Sequence, residues 1–78
     1  MPTVLRSGPY RFFFYAGDAR EPPHVHVERD DCEAKFWLDP VRFERSVGFR
    51  PRDIQQVQAL VEQHHEILSE AWNEFFNG

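Results

Sequence analysis

Seventy-eight residues with 15% aromatic side chains and a formal net charge of −4 suffice for one small hydrophobic core and are too few for two domains. The single cysteine, Cys32, excludes an intramolecular disulfide framework and fits a reducing compartment. No apolar run approaches the roughly 20 residues of a membrane span, and Met1-Pro2-Thr3-Val4-Leu5-Arg6 lacks the basic-then-apolar order of a signal peptide. The expectation is one soluble cytoplasmic domain over residues 1–78, without membrane contact.

Thr3-Val4-Leu5-Arg6 reads as a short first strand, closed by the turn signal Ser7-Gly8-Pro9. Tyr10-Arg11-Phe12-Phe13-Phe14-Tyr15 is apolar at five of six positions, which predicts a strand covered on both faces near the middle of a sheet. A loop from Ala16 to Glu21 leads to Pro22-Pro23, whose rings favour an extended chain. From His24 to Arg29 the residues alternate, with Val25 and Val27 on one face and His24, His26 and Glu28 on the other. Asp30-Asp31 marks a turn. Glu33 to Leu38 alternates again, with Ala34, Phe36 and Leu38 inward and Glu33, Lys35 and Trp37 outward. These two strands form a hairpin whose polar sides make one exposed face. Asp39-Pro40 turns the chain once more, and residues 41–47 give a last strand at a sheet edge, ended by Gly48-Phe49.

Pro51 suits the first position of a helix, and Asp53 suits its first turn. Ile54, Val57, Leu60, Val61, His64, Ile67, Leu68, Ala71, Trp72 and Phe75 recur at three- and four-residue spacing, which predicts one amphipathic helix over about 51–76. Such a helix is about 36 Å long, more than strands of five or six residues, about 20 Å, can cover. Its far end, with Trp72, Phe75 and Phe76, must overhang, bend or pack elsewhere. The predicted fold is therefore α+β: a four- or five-stranded antiparallel meander within residues 3–47, with one long C-terminal helix on one face.

The densest group of chemically capable side chains is His24-x-His26-x-Glu28. Two imidazoles and a carboxylate on one strand face suit Zn²⁺ or Fe²⁺, and imidazole also moves protons near neutrality. Residues two apart on a strand are about 6.5 Å apart, so a closed site needs a further ligand from a neighbouring strand. Trp37 and Lys35, with Arg11 near them, could stack bases and hold phosphates, or form the centre of a protein interface. Were RNA cut, His24 or His26 would serve as general base, with Lys35 or Arg11 stabilising the developing charge. Whether the chain is an enzyme stays open.

Charge is split along the sequence. Residues 1–52 hold all nine Lys and Arg against eight acids, whereas residues 53–78 hold five acids and no Lys or Arg. Glu62, Glu66, Glu70 and Glu74 fall every fourth residue on the helix side opposite the apolar stripe. Like charges at this spacing weaken a helix. Two readings follow: a solvated face, or a row, centred on Glu66 and Glu70 and flanked by Trp72, that meets a basic partner. The aromatic surplus also suits a homodimer.

Gly8-Pro9-Tyr10-Arg11-Phe12-Phe13-Phe14-Tyr15, the stretch Pro22 to Glu28, Ala34-Lys35-Phe36-Trp37-Leu38, Gly48-Phe49 and Trp72-Asn73-Glu74 closely resemble short prokaryotic proteins of the family called domain of unknown function 4160. Where such proteins usually carry Ser after Gly-Phe, this chain has Arg50. The resemblance implies a two-gene module of toxin-antitoxin type, with a small protein partner encoded nearby; contact with RNA is the expectation from the Trp37 and Lys35 face.

Overall fold

The computed structural model describes residues 3–77. Strands β1 (Thr3–Ser7), β2 (Tyr10–Phe13), β3 (His24–Arg29), β4 (Cys32–Leu38) and β5 (Val41–Val47) form one antiparallel sheet in the order β1-β2-β3-β4-β5. Tight connections enforce this meander. Gly8 takes φ 57° between β1 and β2, Asp30 takes φ 53° between β3 and β4, and a cis Asp39-Pro40 peptide joins β4 to β5. Only the β2–β3 connection is long, and it contains a 3-10 turn at Ala16–Arg20.

Register sorts the side chains by face, as the alternation of 24–38 predicts. Phe12 pairs with Val27, Val27 with Ala34 and Val25 with Phe36, so these residues share the face that the helices cover. The opposite face collects Arg11 and Glu28, Phe13 and His26, and His24, Lys35, Trp37 and Glu33. Phe12, Val25, Val27, Phe36 and Leu38 are fully buried, and burial of each such side chain contributes about 1.5–3 kcal/mol.

The expected single helix is two. Helix α1 (Pro51–Gln63) and helix α2 (His65–Asn77) meet at His64, whose φ of −103° and ψ of 17° depart from helical values. Hydrogen bonding continues across the joint: the His64 N–H donates to the Leu60 carbonyl at 3.0 Å, and the Leu68 N–H to the His64 carbonyl at 3.0 Å. A straight rod would leave its apolar end beyond the sheet. The break lets α1 lie against β4 and β5 while α2 reaches β1 and β4. Pro51 occupies the first turn of α1, and Asp53 Oδ2 accepts the Arg50 N–H at 3.3 Å, standing in for a capping side chain on Arg50.

The break also changes which residues face inward. Val57, Val61, Leu68 and Trp72 are buried, but Ile67 and Phe75, expected in the apolar stripe, are 51% and 42% exposed. Phe14, just beyond β2, anchors the distal end of α2: it is fully buried, with ring centroids 5.3 Å from Trp72 and 6.0 Å from Phe76. Gly48, after β5, has φ 90°, and a Cβ there would sit 2.9 Å from Cys32 Sγ. Among the described residues, no helix is long and apolar enough to cross a membrane.

Candidate functional site

The histidine face of the hairpin, expected to be open, is closed. His24 is 0%, His26 3% and Lys35 8% exposed. Their cover is not the helix layer alone. After β2 the chain turns back over this face, and a short-range bond fixes the turn: the Tyr15 N–H donates to Asp18 Oδ2 at 2.9 Å. That bond aims the Asp18 carboxylate down onto the imidazoles. The 3-10 turn buries none of its own residues, so polar contacts hold it to the sheet.

The Asp18 carboxylate spans both rings. Its Oδ1 lies 3.2 Å from His24 Nε2, and its Oδ2 lies 3.1 Å from His26 Nε2. The outer nitrogens are set by other groups. His24 Nδ1 is 2.9 Å from the Pro22 carbonyl oxygen, and His26 Nδ1 is 3.5 Å from Glu33 Oε2. Among the described residues, His24 Nε2 and His26 Nδ1 are buried with no hydrogen-bond partner. Aromatic rings wall the cluster. Phe13 stacks on His26 at 5.6 Å and Tyr15 meets it edge-on at 4.6 Å, while Trp37 and Trp72 lie 5.5 and 5.1 Å from His24.

Burial lowers the His26 pKa below its ordinary value, against the opposing pull of Asp18 and Glu33, so the neutral ring prevails near neutral pH. Tyr15, whose hydroxyl donates to Glu33 Oε1 at 3.3 Å, has its pKa raised by burial and then by the Glu33 charge. The Lys35 ammonium donates to Glu21, and that bond holds the Glu21 carboxyl below its usual range.

The structure brings some of the nominated residues together and separates others. His24 and His26 share a site, but Glu28, expected beside them as a ligand, pairs with Arg11 instead. Asp18 takes its place. The reason is geometric: Glu28 lies one pleat further along β3, opposite Arg11 of β2. Trp37 is partly exposed, donates its indole N–H to Glu44 at 2.8 Å and carries the Lys35 ammonium 4.6 Å from its ring centre. Trp72, expected at a partner surface, is 5% exposed because it fills the gap between Phe14 and His24. The helix histidine that bonds a main-chain carbonyl is His65, whose Nε2 meets the Leu38 oxygen at 2.5 Å. His64, from the predicted apolar stripe, meets the edge of Phe12 at 6.5 Å.

Glu62, Glu66, Glu70 and Glu74 are all exposed, and among the described residues none of them is ion-paired. Beside this row an open apolar groove of about 300 Å³ is lined by Val4, Phe14, Ala71, Glu74 and Phe75.

Comparison with known proteins gives one positive result. The family described as "Domain of unknown function (DUF4160)" matches residues 10–73, a span that includes β2 to β5, the Asp18 turn and most of α2. No curated protein and no solved structure matches significantly.

Proposed function

We propose a binding role, taking as premise that the chain belongs to the DUF4160 family, whose description names no activity. In this reading the chain holds a basic protein segment against helix α2. One observation carries it: the two imidazoles are sealed, while α2 presents an acidic row of a single sign beside two exposed apolar side chains, Ile67 and Phe75. The other exposed large apolar side chains, Phe43 and Val47, lie on β5 among charges of both signs. His24 and His26 are at most 3% exposed, and Lys35, 8% exposed, lines a surface cavity of about 320 Å³ with Asp31, Glu33 and Arg45. Lys35 and Arg11, the cations nominated for phosphate, are already engaged by Glu21 and Glu28.

On α2, Glu66, Glu70 and Glu74 flank the exposed Ile67 and Phe75. A helix face with apolar anchors about two turns apart and a single sign of charge suits a helix-in-groove contact. Because residues 53–78 contain no Lys or Arg, the complementary partner is cationic, with an apolar side chain for the groove beside Phe75. The neighbouring small gene of a two-gene module is the first source to examine. Co-expression followed by size-exclusion chromatography tests this, with Glu66→Lys/Glu70→Lys and Ile67→Lys as variants. A complex lost in both variants supports the reading. A complex that survives both, or a chain that only self-associates, refutes it.

A further inference from the structure

The geometry points to a site for one late first-row divalent cation, with Asp18, His24 and His26 as its ligands. One donor atom from each of these three residues lies within 4.8 Å of the others. Independently of that spacing, the hydrogen-bond inventory of the two rings calls for a cation.

His24 Nδ1 faces the Pro22 carbonyl oxygen at 2.9 Å, and a carbonyl only accepts, so Nδ1 carries the hydrogen. In the neutral ring Nε2 is then a bare lone pair, and it points at Asp18 Oδ1 from 3.2 Å. Two acceptors are thus opposed in a fully buried place, an arrangement that costs free energy unless something positive lies between them. His26 has the complementary difficulty. If its Nε2 donates to Asp18 Oδ2 at 3.1 Å, its Nδ1 is left as a buried acceptor facing the Glu33 carboxylate at 3.5 Å.

A single cation resolves both. It takes the lone pairs of His24 Nε2 and His26 Nε2 and a carboxylate oxygen of Asp18. The His26 hydrogen then moves to Nδ1, where Glu33 can accept it. Each ligating imidazole would donate its other N–H to a carbonyl or a carboxylate, the arrangement that fixes ring orientation and tautomer in metal sites. Two imidazoles and one carboxylate favour Zn²⁺, Fe²⁺ or Co²⁺ over Mg²⁺ or Ca²⁺, which prefer all-oxygen sets. The separations of 3.1 and 3.2 Å run to different oxygens of Asp18, and one donor from each residue lies within 4.8 Å of the others. Donors about 2.0–2.1 Å from a tetrahedral Zn²⁺ are roughly 3.3 Å apart, so binding draws the three side chains together. The ligand set thus differs from the His24, His26, Glu28 trio read along one strand, and it does not depend on the role given to α2.

Zn²⁺ titrated into the chelator-treated full chain, read by calorimetry, should give one ion per chain and raise the melting temperature. Asp18→Asn and His24→Gln should each weaken binding by about 100-fold, whereas Glu28→Gln should leave it within about twofold. Circular dichroism of the metal-free variants checks that they fold. A measurement that needs no variant accompanies it: long-range ¹H–¹⁵N spectra of the Zn²⁺-loaded native chain should show hydrogens on His24 Nδ1 and His26 Nδ1 only. Binding that Asp18→Asn and His24→Gln leave intact, or an absence of stoichiometric Zn²⁺, overturns the assignment. So does a His24 ring that stays doubly protonated at pH 7 in excess Zn²⁺, since a proton would then fill the gap.

Discussion

Replacing Phe14 by Ala tests how α2 is attached. Phe14 is fully buried and is the sheet-side partner of three α2 aromatics, with centroids 5.3 Å from Trp72, 6.1 Å from Phe75 and 6.0 Å from Phe76. A Phe→Ala change at such a site costs about 3–5 kcal/mol, the lost transfer free energy plus an unfilled cavity. For a chain of this length the whole stability is about 4–12 kcal/mol, so the change removes roughly a quarter of it or more. Each kcal/mol moves the melting temperature by about 4–8 °C in domains of this size, and a drop of at least about 12 °C is expected. Urea unfolding followed by tryptophan fluorescence and far-ultraviolet circular dichroism measures the free energy, with Trp72 reporting on the contact itself. Phe43→Ala provides the comparison: Phe43 lies on edge strand β5 and is 37% exposed, so its loss should cost distinctly less. A Phe14→Ala cost under about 1 kcal/mol, or one equal to that of Phe43→Ala, would refute the placement of Phe14 as the anchor of α2.

Other outcomes follow from particular contacts. Gly48→Ala should destabilise by about 1–2 kcal/mol through its left-handed backbone alone, and by more because the new Cβ would meet Cys32 Sγ at 2.9 Å. Denaturation of Gly48→Ala with and without Cys32→Ala separates the two, and only the clash should be relieved. Glu28→Gln should cost at most about 1 kcal/mol, since its pair with Arg11 is partly exposed; a larger loss in chemical denaturation would give Glu28 a structural role not seen in its contacts. The Asp53 carboxyl is held below its ordinary 3.8 first by the Arg50 N–H and then by Arg29. Its contribution to stability is therefore fully present above about pH 3.8 and is lost as pH falls through the depressed folded value. Acid unfolding curves should flatten over that window in Asp53→Asn relative to the native chain.

Much of the fold is legible in the sequence because strand alternation has a short period and a single consequence. Val25, Val27, Ala34, Phe36 and Leu38 fall on one face whatever lies elsewhere, and the turns at Gly8, Asp30 and Pro40 allow little but a meander. The closure of the opposite face is harder to read. The covering turn, Ala16 to Arg20, has no large apolar residue, and hydrophobic patterning is blind to a lid held by charge. A signal does exist in the neighbouring strand: Phe13 projects to the same side as His26, and a large ring there requires cover. Asp18 follows from that clue only if a residue eight positions before His26 folds back onto it. The break at His64 has no proline or glycine to announce it. It follows from the mismatch between helix length and sheet width, which predicts a bend without saying where.

The nearest-neighbour order of the five strands bears on how the chain folds. Every strand pairing is made between segments adjacent in sequence, so the sheet can zip up hairpin by hairpin with little loop-closure entropy at any step. Distant segments need to meet only when α1 and α2 arrive. Before the helices dock, Phe12, Val27 and Phe36 would lie bare on one side of the sheet, and the prediction is that helix docking sets the folding rate. Changes at Val57, Val61 or Leu68 should slow folding more than they speed unfolding, whereas losses at the β1 edge should act mainly on unfolding.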